Sequence, residues 1–184
     1  MIIESLNNKK EENPIYKNPA MKVNDDVGIA IYHAEKSETD KIRLNKLISP
    51  YLASGFHHDK VSIIEATFHD HGGILVFEMS DYFMPSDDEF HLSSILAEVC
   101  VLHAGVIYAH IDTGSAIKNR EVYLRSSKMN YKKPIREKRF TFEFTVINKV
   151  IKGAIKSYQA TLNFNDGCFT GEYQWIIPLN TVNG

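Results

Sequence analysis

The sequence predicts an α+β fold in which an antiparallel sheet wraps around one long, buried, apolar helix. Three observations carry that prediction. Residues 92–109 (LSSILAEVCVLHAGVIYA) form an apolar run of about 18 residues with one charge inside, Glu98. A bilayer span needs ~20 apolar residues and does not readily tolerate a mid-helix carboxylate, so the run reads as a core helix. Residues 140–146 (FTFEFTV) alternate apolar and polar side chains with the period of a half-buried strand. Asn165-Asp166-Gly167, set between two further strand-like runs, marks a hairpin turn.

The chain has 184 residues, enough for one compact domain with a sizeable core. Its 43% hydrophobic and 24% charged residues suit a globular protein, and a net charge of −2 leaves no nucleic-acid or membrane footprint. Cys100 and Cys168 form no CxxC pair and no disulfide framework. The N-terminus, MIIESLNNKKEENP, has no basic region followed by an apolar stretch, so a reduced, cytoplasmic setting is expected. Residues 1–35 are expected to form a partly ordered N-terminal arm, and residues 36–184 a single domain.

The elements follow in order. A helix is expected over 38–49, with Ser37 as N-cap, apolar residues Leu44, Leu47, Ile48 and Tyr51 at helical spacing, and Pro50 at its end. Residues 60–69 alternate as a strand, His71-Gly72-Gly73 makes a turn, and 74–79 returns as a second strand. Asp87, Asp88 and Glu89 suit the first turn of the long helix, where the macrodipole favours negative charge. After that helix come strands at 121–127, 140–146, 155–164 and 169–177. This order of elements is that of the hotdog fold. A helix apolar almost all round needs further cover, which a homodimer would supply.

On a helix starting at residue 91, His91 and Glu98 lie within ~20° of one direction, with Ser94 near that face and Cys100 opposite. A buried carboxylate is costly unless paired or used. The helix start would offer unpaired N–H groups to a thioester carbonyl, while Glu98 or His91 activates water. Alternatively, Glu98 pairs with a lysine and His91 is a surface residue. His103, about 100° off this face, is expected in the core or at an interface.

The basic run 128–139 (KMNYKKPIREKR), with Lys132 and Lys133, reads as a solvated strand edge or as a mouth for a phosphopantetheine or nucleotide tail. Phe140, Phe142 and Phe144 read as plain core or as lining of an acyl tunnel between helix and sheet. His57-His58 and His69-x-His71 have spacing for two ligands each but no HExxH or Cys-His pattern, so no metal and no cofactor are expected. Cys100 faces away from His91 and lacks a paired base. GxSxG, P-loop and GxGxxG motifs are absent.

The order of motifs resembles the FcoT-type fatty acyl-CoA thioesterases. The likeness rests on 47–56 (LISPYLASGF), Asp81-Tyr82-Phe83, Phe90-His91 opening the long helix, 130–135 (NYKKPI) and 162–178 (LNFNDGCFTGEYQWIIP). It spans most of residues 44–180. The chain departs from the family where it reads Asp88-Glu89-Phe90 for Gly-His-Phe and Cys100-Val101 for Asn-Gln. The resemblance implies long acyl chains held as thioesters, with Tyr51 and Tyr82 as site tyrosines and Phe90 and His91 beside them. Relatives in that group imply a second chemistry, glycine addition to an enoyl-acyl carrier protein in isonitrile lipopeptide pathways.

The enzymatic readings share one substrate class, an acyl thioester on coenzyme A or a carrier protein. The first expectation is a thioesterase in which Tyr51 and Tyr82 orient the thioester and Glu98 or His91 activates water. The alternatives are a lyase acting at the β-carbon and a non-catalytic acyl-binding module. The expected catalytic residues are thus Glu98, His91, Tyr82 and Tyr51. Ser94, Phe90, Lys132 and Lys133 are the expected substrate contacts.

Overall fold

The structure is a computed structural model that describes residues 23–24, 29–30, 37–84 and 88–179. The rest of the expected N-terminal arm lies outside the described residues. The chain divides into two units, Met1–Ile48 and Ser49–Gly184.

In the first unit, β1 (Val23–Asn24) pairs antiparallel with β2 (Ile29–Ala30), a short ladder within the stretch expected to be a polar arm. Helix α1 (Glu38–Leu47) follows, and the Ser37 carbonyl accepts the Lys41 N–H at 3.0 Å, as an N-cap residue does. The helix ends two residues earlier than the sequence predicts.

The second unit opens with α2 (Pro50–Ala53) and a 3-10 turn (Gly55–His58). Pro50 therefore begins a helix where the sequence suggested that it ends one. At the first helical position the missing N–H removes no hydrogen bond, and the fixed φ is already helical. β3 (Lys60–His69) and β4 (Gly72–Asp81) form a hairpin around Asp70-His71. Gly72 and Gly73 were expected in the turn but belong to the strand. A Cβ on Gly72 would lie 2.0 Å from the Phe144 carbonyl oxygen, and its φ of +143° suits glycine alone.

Helix α3 (Ser94–Asp112) crosses from β4 to β5 (Tyr123–Tyr131), and β6 (Arg139–Lys152), β7 (Ile155–Phe164) and β8 (Phe169–Pro178) complete the sheet. The six strands run antiparallel in the order β3-β4-β6-β7-β8-β5. β4 lies near one edge and β5 forms the other, so the connection carries α3 across a face of the sheet. This is the hotdog arrangement. Alternation decides which face is covered: Phe140, Phe142, Phe144 and Val146 of β6 are buried, while Thr141, Glu143 and Thr145 are exposed. Tyr108 of α3 packs edge-on against Phe144 at 5.3 Å, Tyr158 at 5.8 Å and Trp175 at 6.5 Å, linking the helix to three strands. α3 is long and apolar enough to cross a bilayer by length and composition, but Leu96, Ala97, Cys100, Ala104 and Tyr108 belong to the core of the sheet.

The C-terminal end of α3 is pinned through Asp112. Its carboxylate takes Lys149 Nζ at 2.6 Å, Lys156 Nζ at 2.5 Å and the Tyr158 hydroxyl at 2.8 Å. Burial disfavours the ionised carboxylate, but the two ammonium groups and the hydroxyl outweigh it and hold the carboxyl below its ordinary range. A depressed folded-state pKa means stability that is present above the unfolded value, about pH 4, and lost as pH falls below it. Asp112→Asn should therefore flatten the acid limb of a stability-against-pH curve, measured by urea denaturation. An unchanged acid limb would remove this role from Asp112.

Candidate functional site

The long helix starts three residues later than the sequence suggests, at Ser94 instead of His91, and this moves the site. Ser93 is the N-cap, and its Oγ accepts the Leu96 N–H at 3.1 Å. His91 therefore precedes the helix and is exposed, so the angular relation expected between His91 and Glu98 does not arise. Asp88 and Glu89 also lie upstream of the first turn, and Glu89 pairs instead with Arg136. Asp87 lies outside the described residues.

Glu98 points to the sheet, where its carboxylate accepts hydrogen bonds from the Ser127 hydroxyl at 2.9 Å and from the Tyr173 hydroxyl. It thus joins α3 to β5 and β8 rather than standing beside His91. Its partners are hydroxyl groups, where the sequence suggested a lysine.

His91 lies instead on two adjoining clefts. The first, about 350 Å³, is lined by Tyr51, Asp59, Tyr82, Phe83, Met84, Phe90, His91, Ser93 and Leu96 together with Ser49. The second, about 380 Å³ and more open, is lined on one side by Tyr51, His91, Ser93 and Ser94 and on the other by Tyr131, Lys132, Lys133 and Phe169. Every expected site residue except Glu98 therefore borders one cleft or both. Tyr51, His91 and Ser93 form the wall between them.

That wall carries a chain of hydrogen bonds. The Tyr51 hydroxyl donates to Asp59 Oδ2 at 2.6 Å and lies 2.5 Å from Ser93 Oγ. With the phenolic proton on Asp59, the Ser93 hydroxyl donates to the Tyr51 oxygen while its own oxygen caps α3. The other oxygen of Asp59 accepts the Phe83 N–H at 2.8 Å. Burial, reinforced by the Asp59 carboxylate and opposed by Ser93, pushes the Tyr51 phenol up to about 12. Tyr51 is therefore a hydrogen-bond donor at neutral pH and not a base.

The aromatic walls are ordered by their neighbours. Tyr82 meets Phe90 edge-on at 4.8 Å, and Lys138 Nζ stands 4.6 Å from the Tyr82 ring centre. In the second cleft the Lys132 and Lys133 N–H groups both donate to the Cys168 carbonyl, which fixes the backbone that carries the two ammonium groups. Burial raises the Tyr131 phenol, the Glu98 charge adds to this, and a hydrogen bond with Ser94 opposes it.

Other residues named in the sequence lie away from the two clefts. Phe140, Phe142 and Phe144 are 1%, 1% and 4% exposed. Among the described residues, the voids that Phe142 and Phe144 and the neighbouring Val101 and Trp175 line between helix and sheet are only about 10 and 20 Å³, so these rings belong to the core. Cys100 is fully buried, and burial pushes its thiol up, away from the thiolate a nucleophile needs. His103 is exposed on α3 rather than in the core. Among the described residues no three His, Cys, Asp or Glu side chains converge as metal ligands. The His57 ring lies tilted against Phe56 with ring centres 4.0 Å apart, and His69 Nδ1 accepts the His71 N–H.

Asp59, Ser93 and Phe83 were not singled out from the sequence as site residues. Ser93 carried a usable signal, because a serine pair at the head of an apolar run is an N-cap pattern. Asp59 and Phe83 carried none: only the packing of the 3-10 turn against the segment that follows β4 brings them to Tyr51.

No family model matches the chain, and no curated protein matches it. Among solved structures it is similar to a thioesterase from Haemophilus influenzae, at 16% identity over 77% of this chain and 92% of the other, with a TM-score of 0.47. A thioesterase family protein from Silicibacter pomeroyi gives 15% identity over 78% and 100%, with a TM-score of 0.44. A conserved protein from Pseudomonas aeruginosa gives 10% over 72% and 97%, with a TM-score of 0.46. These are likenesses of shape, and they assign no role to any residue of the two clefts.

Proposed function

We propose that this protein is an acyl-thioester-processing enzyme of the hotdog type, and that its reaction is hydrolysis of a fatty acyl thioester carried by coenzyme A or an acyl carrier protein. The observation that carries the proposal is the Asp59–Tyr51–Ser93 chain at the start of α3, between an aromatic cleft and a lysine-edged one. A thioester has the matching form, with an apolar acyl group on one side of the reacting carbon and an anionic arm on the other. The resemblance of 47–56 and of Asp81-Tyr82-Phe83 to the FcoT-type thioesterases points the same way.

The acyl group occupies the first cleft, and the phosphate-bearing arm runs past Lys132 and Lys133. The first-turn N–H groups of Ser94 and Ile95 have no partner within the helix, and with the helix dipole they suit a carbonyl that becomes an oxyanion. Tyr51 and Tyr82 orient the thioester. His91 takes a proton from water, and the resulting hydroxide attacks the carbonyl carbon. The C–S bond then breaks, and the leaving thiolate recovers the proton from His91, giving a carboxylic acid and a free thiol. Among the described residues the His91 ring makes no hydrogen bond, whereas both oxygens of Asp59 are already engaged, so Asp59 positions Tyr51. Leu102 and Ile111 remain exposed on α3, at 41% and 50%, and a homodimer would cover them.

The test is incubation of the purified protein with acyl-CoA and enoyl-carrier-protein panels, followed by mass spectrometry. Free acid and free thiol are expected. An adduct at the β-carbon without thiol release would make the protein a lyase, and unchanged substrates throughout would leave a binding module. If Glu98→Gln abolishes turnover while His91→Gln retains it, the base is Glu98.

A further inference from the structure

We propose that Tyr131 is the side chain that donates a hydrogen bond to the carrier arm of the thioester in the second cleft, with Ser94 and Glu98 as positioning residues that aim it. The inference rests on the thioester reading of the site and adds a contact on the side of the leaving thiol.

The placement of Tyr131 follows from how β5 meets α3. Ser127, Met129 and Tyr131 share one face of the strand. That face turns to the helix, because the Ser127 hydroxyl reaches Glu98 at 2.9 Å and Met129 packs on the core. Ser94 and Glu98 stand four residues apart and so share one face of α3. Glu98 therefore meets Ser127, and Ser94 meets Tyr131. The Tyr131 ring is steadied edge-on by Phe169, its register partner on β8, with ring centres 4.8 Å apart.

The two phenols of the second cleft differ in what becomes of their protons. Tyr51 gives its proton to Asp59 at 2.6 Å. The Tyr131 oxygen accepts from the Ser94 hydroxyl, and among the described residues no acceptor takes the Tyr131 proton. Glu98 spends its oxygens on Ser127 and Tyr173, so it acts on Tyr131 through its charge. Burial and that charge outweigh Ser94 and keep the phenol protonated. Tyr131 thus borders the cleft with a donor to spare, next in sequence to Lys132 and across from Tyr51, His91 and Ser93. The arm common to coenzyme A and carrier proteins has an amide near the sulfur and a phosphate farther out. With the thioester carbonyl at the start of α3 and the phosphate at Lys132 and Lys133, the amide carbonyl passes Tyr131.

The test gives one octanoyl group different leaving thiols. Coenzyme A has the amide and the phosphates, N-acetylcysteamine has the amide alone, and ethanethiol has neither. Two readouts are taken on the full chain: thiol release and thermal stabilisation of the protein by each thioester. Wild type is expected to favour the N-acetylcysteamine thioester over the S-ethyl thioester by about three- to tenfold in kcat/KM, the range of one hydrogen bond. Tyr131→Phe, which keeps the ring against Phe169, should bring that ratio down to about one, through KM with kcat kept. Ser94→Ala and Glu98→Gln should lower the same ratio by a smaller factor. Replacing Lys132 and Lys133 together by glutamine should instead lower the ratio of the coenzyme A thioester to the N-acetylcysteamine thioester.

A ratio that Tyr131→Phe leaves at its wild-type value overturns the proposal. So does an equal loss of kcat on every thioester, which would put Tyr131 at the reacting carbon. Should Tyr131→Phe fail to fold, the Ser94→Ala ratio decides by the same criterion. Stabilisation that follows the expected ratios without thiol release upholds the proposal and rejects hydrolysis. Thiol release with an unmoved ratio does the reverse. No stabilisation by any thioester and no release overturns both.

Discussion

His91→Gln is expected to lower kcat/KM for acyl-thioester hydrolysis by about 10²–10⁴, the range lost when a positioned acid–base group is removed. Glutamine keeps the polarity and approximate size of the side chain but cannot take a proton from water. His91 is exposed, and among the described residues its ring makes no hydrogen bond, so folding stability should change by no more than about 0.5 kcal/mol. The assay is release of free thiol under single-substrate conditions, with a denaturant melt of the same preparation. A rate within a few-fold of wild type would transfer the base to another group of the cleft.

Phe142→Ala should cost about 3–5 kcal/mol of folding stability, the largest such effect expected here. The ring is 1% exposed and lies 4.7 Å from Phe164, 5.8 Å from Phe144 and 6.4 Å from Phe77 between ring centres. These partners come from β6, β7 and β4, so truncation opens a void shared by three strands that cannot close around it. Glu143, the next residue on the same strand, faces outward, and its replacement by alanine should stay within about 0.5 kcal/mol. Chemical denaturation of both variants makes the comparison. Equal costs would mean that the alternation of β6 does not define the core face.

Much of the fold was legible because its signals are local. Phe140, Phe142 and Phe144 mark the buried face of β6 by alternation, and Asn165-Asp166-Gly167 marks the β7–β8 hairpin, where all three residues take positive φ. The apolar composition of α3 marked it as the buried helix. Boundaries were less legible, since Pro50 and the Gly72-Gly73 pair are compatible with both ends of an element until the partner strand or turn is known. The site was legible as a set of residues and not as an arrangement. Tyr51, Tyr82, Phe90, His91, Ser94, Lys132 and Lys133 do border the clefts, but the pairing of His91 with Glu98 depended on a helix start that Ser93 displaces by capping.

The sequence by itself determined the main strands of the sheet, the buried face of β6 and the central helix, because periodicity and turn chemistry act over a few residues. Only the tertiary structure decided which polar groups meet. Tyr51 reaches Ser93 across 42 positions and Asp59 across 8, and Glu98 turns to Tyr173 across 75. Such meetings depend on where α3 crosses the sheet and how the 3-10 turn packs. No short-range pattern encodes contacts that many residues distant from one another must jointly position.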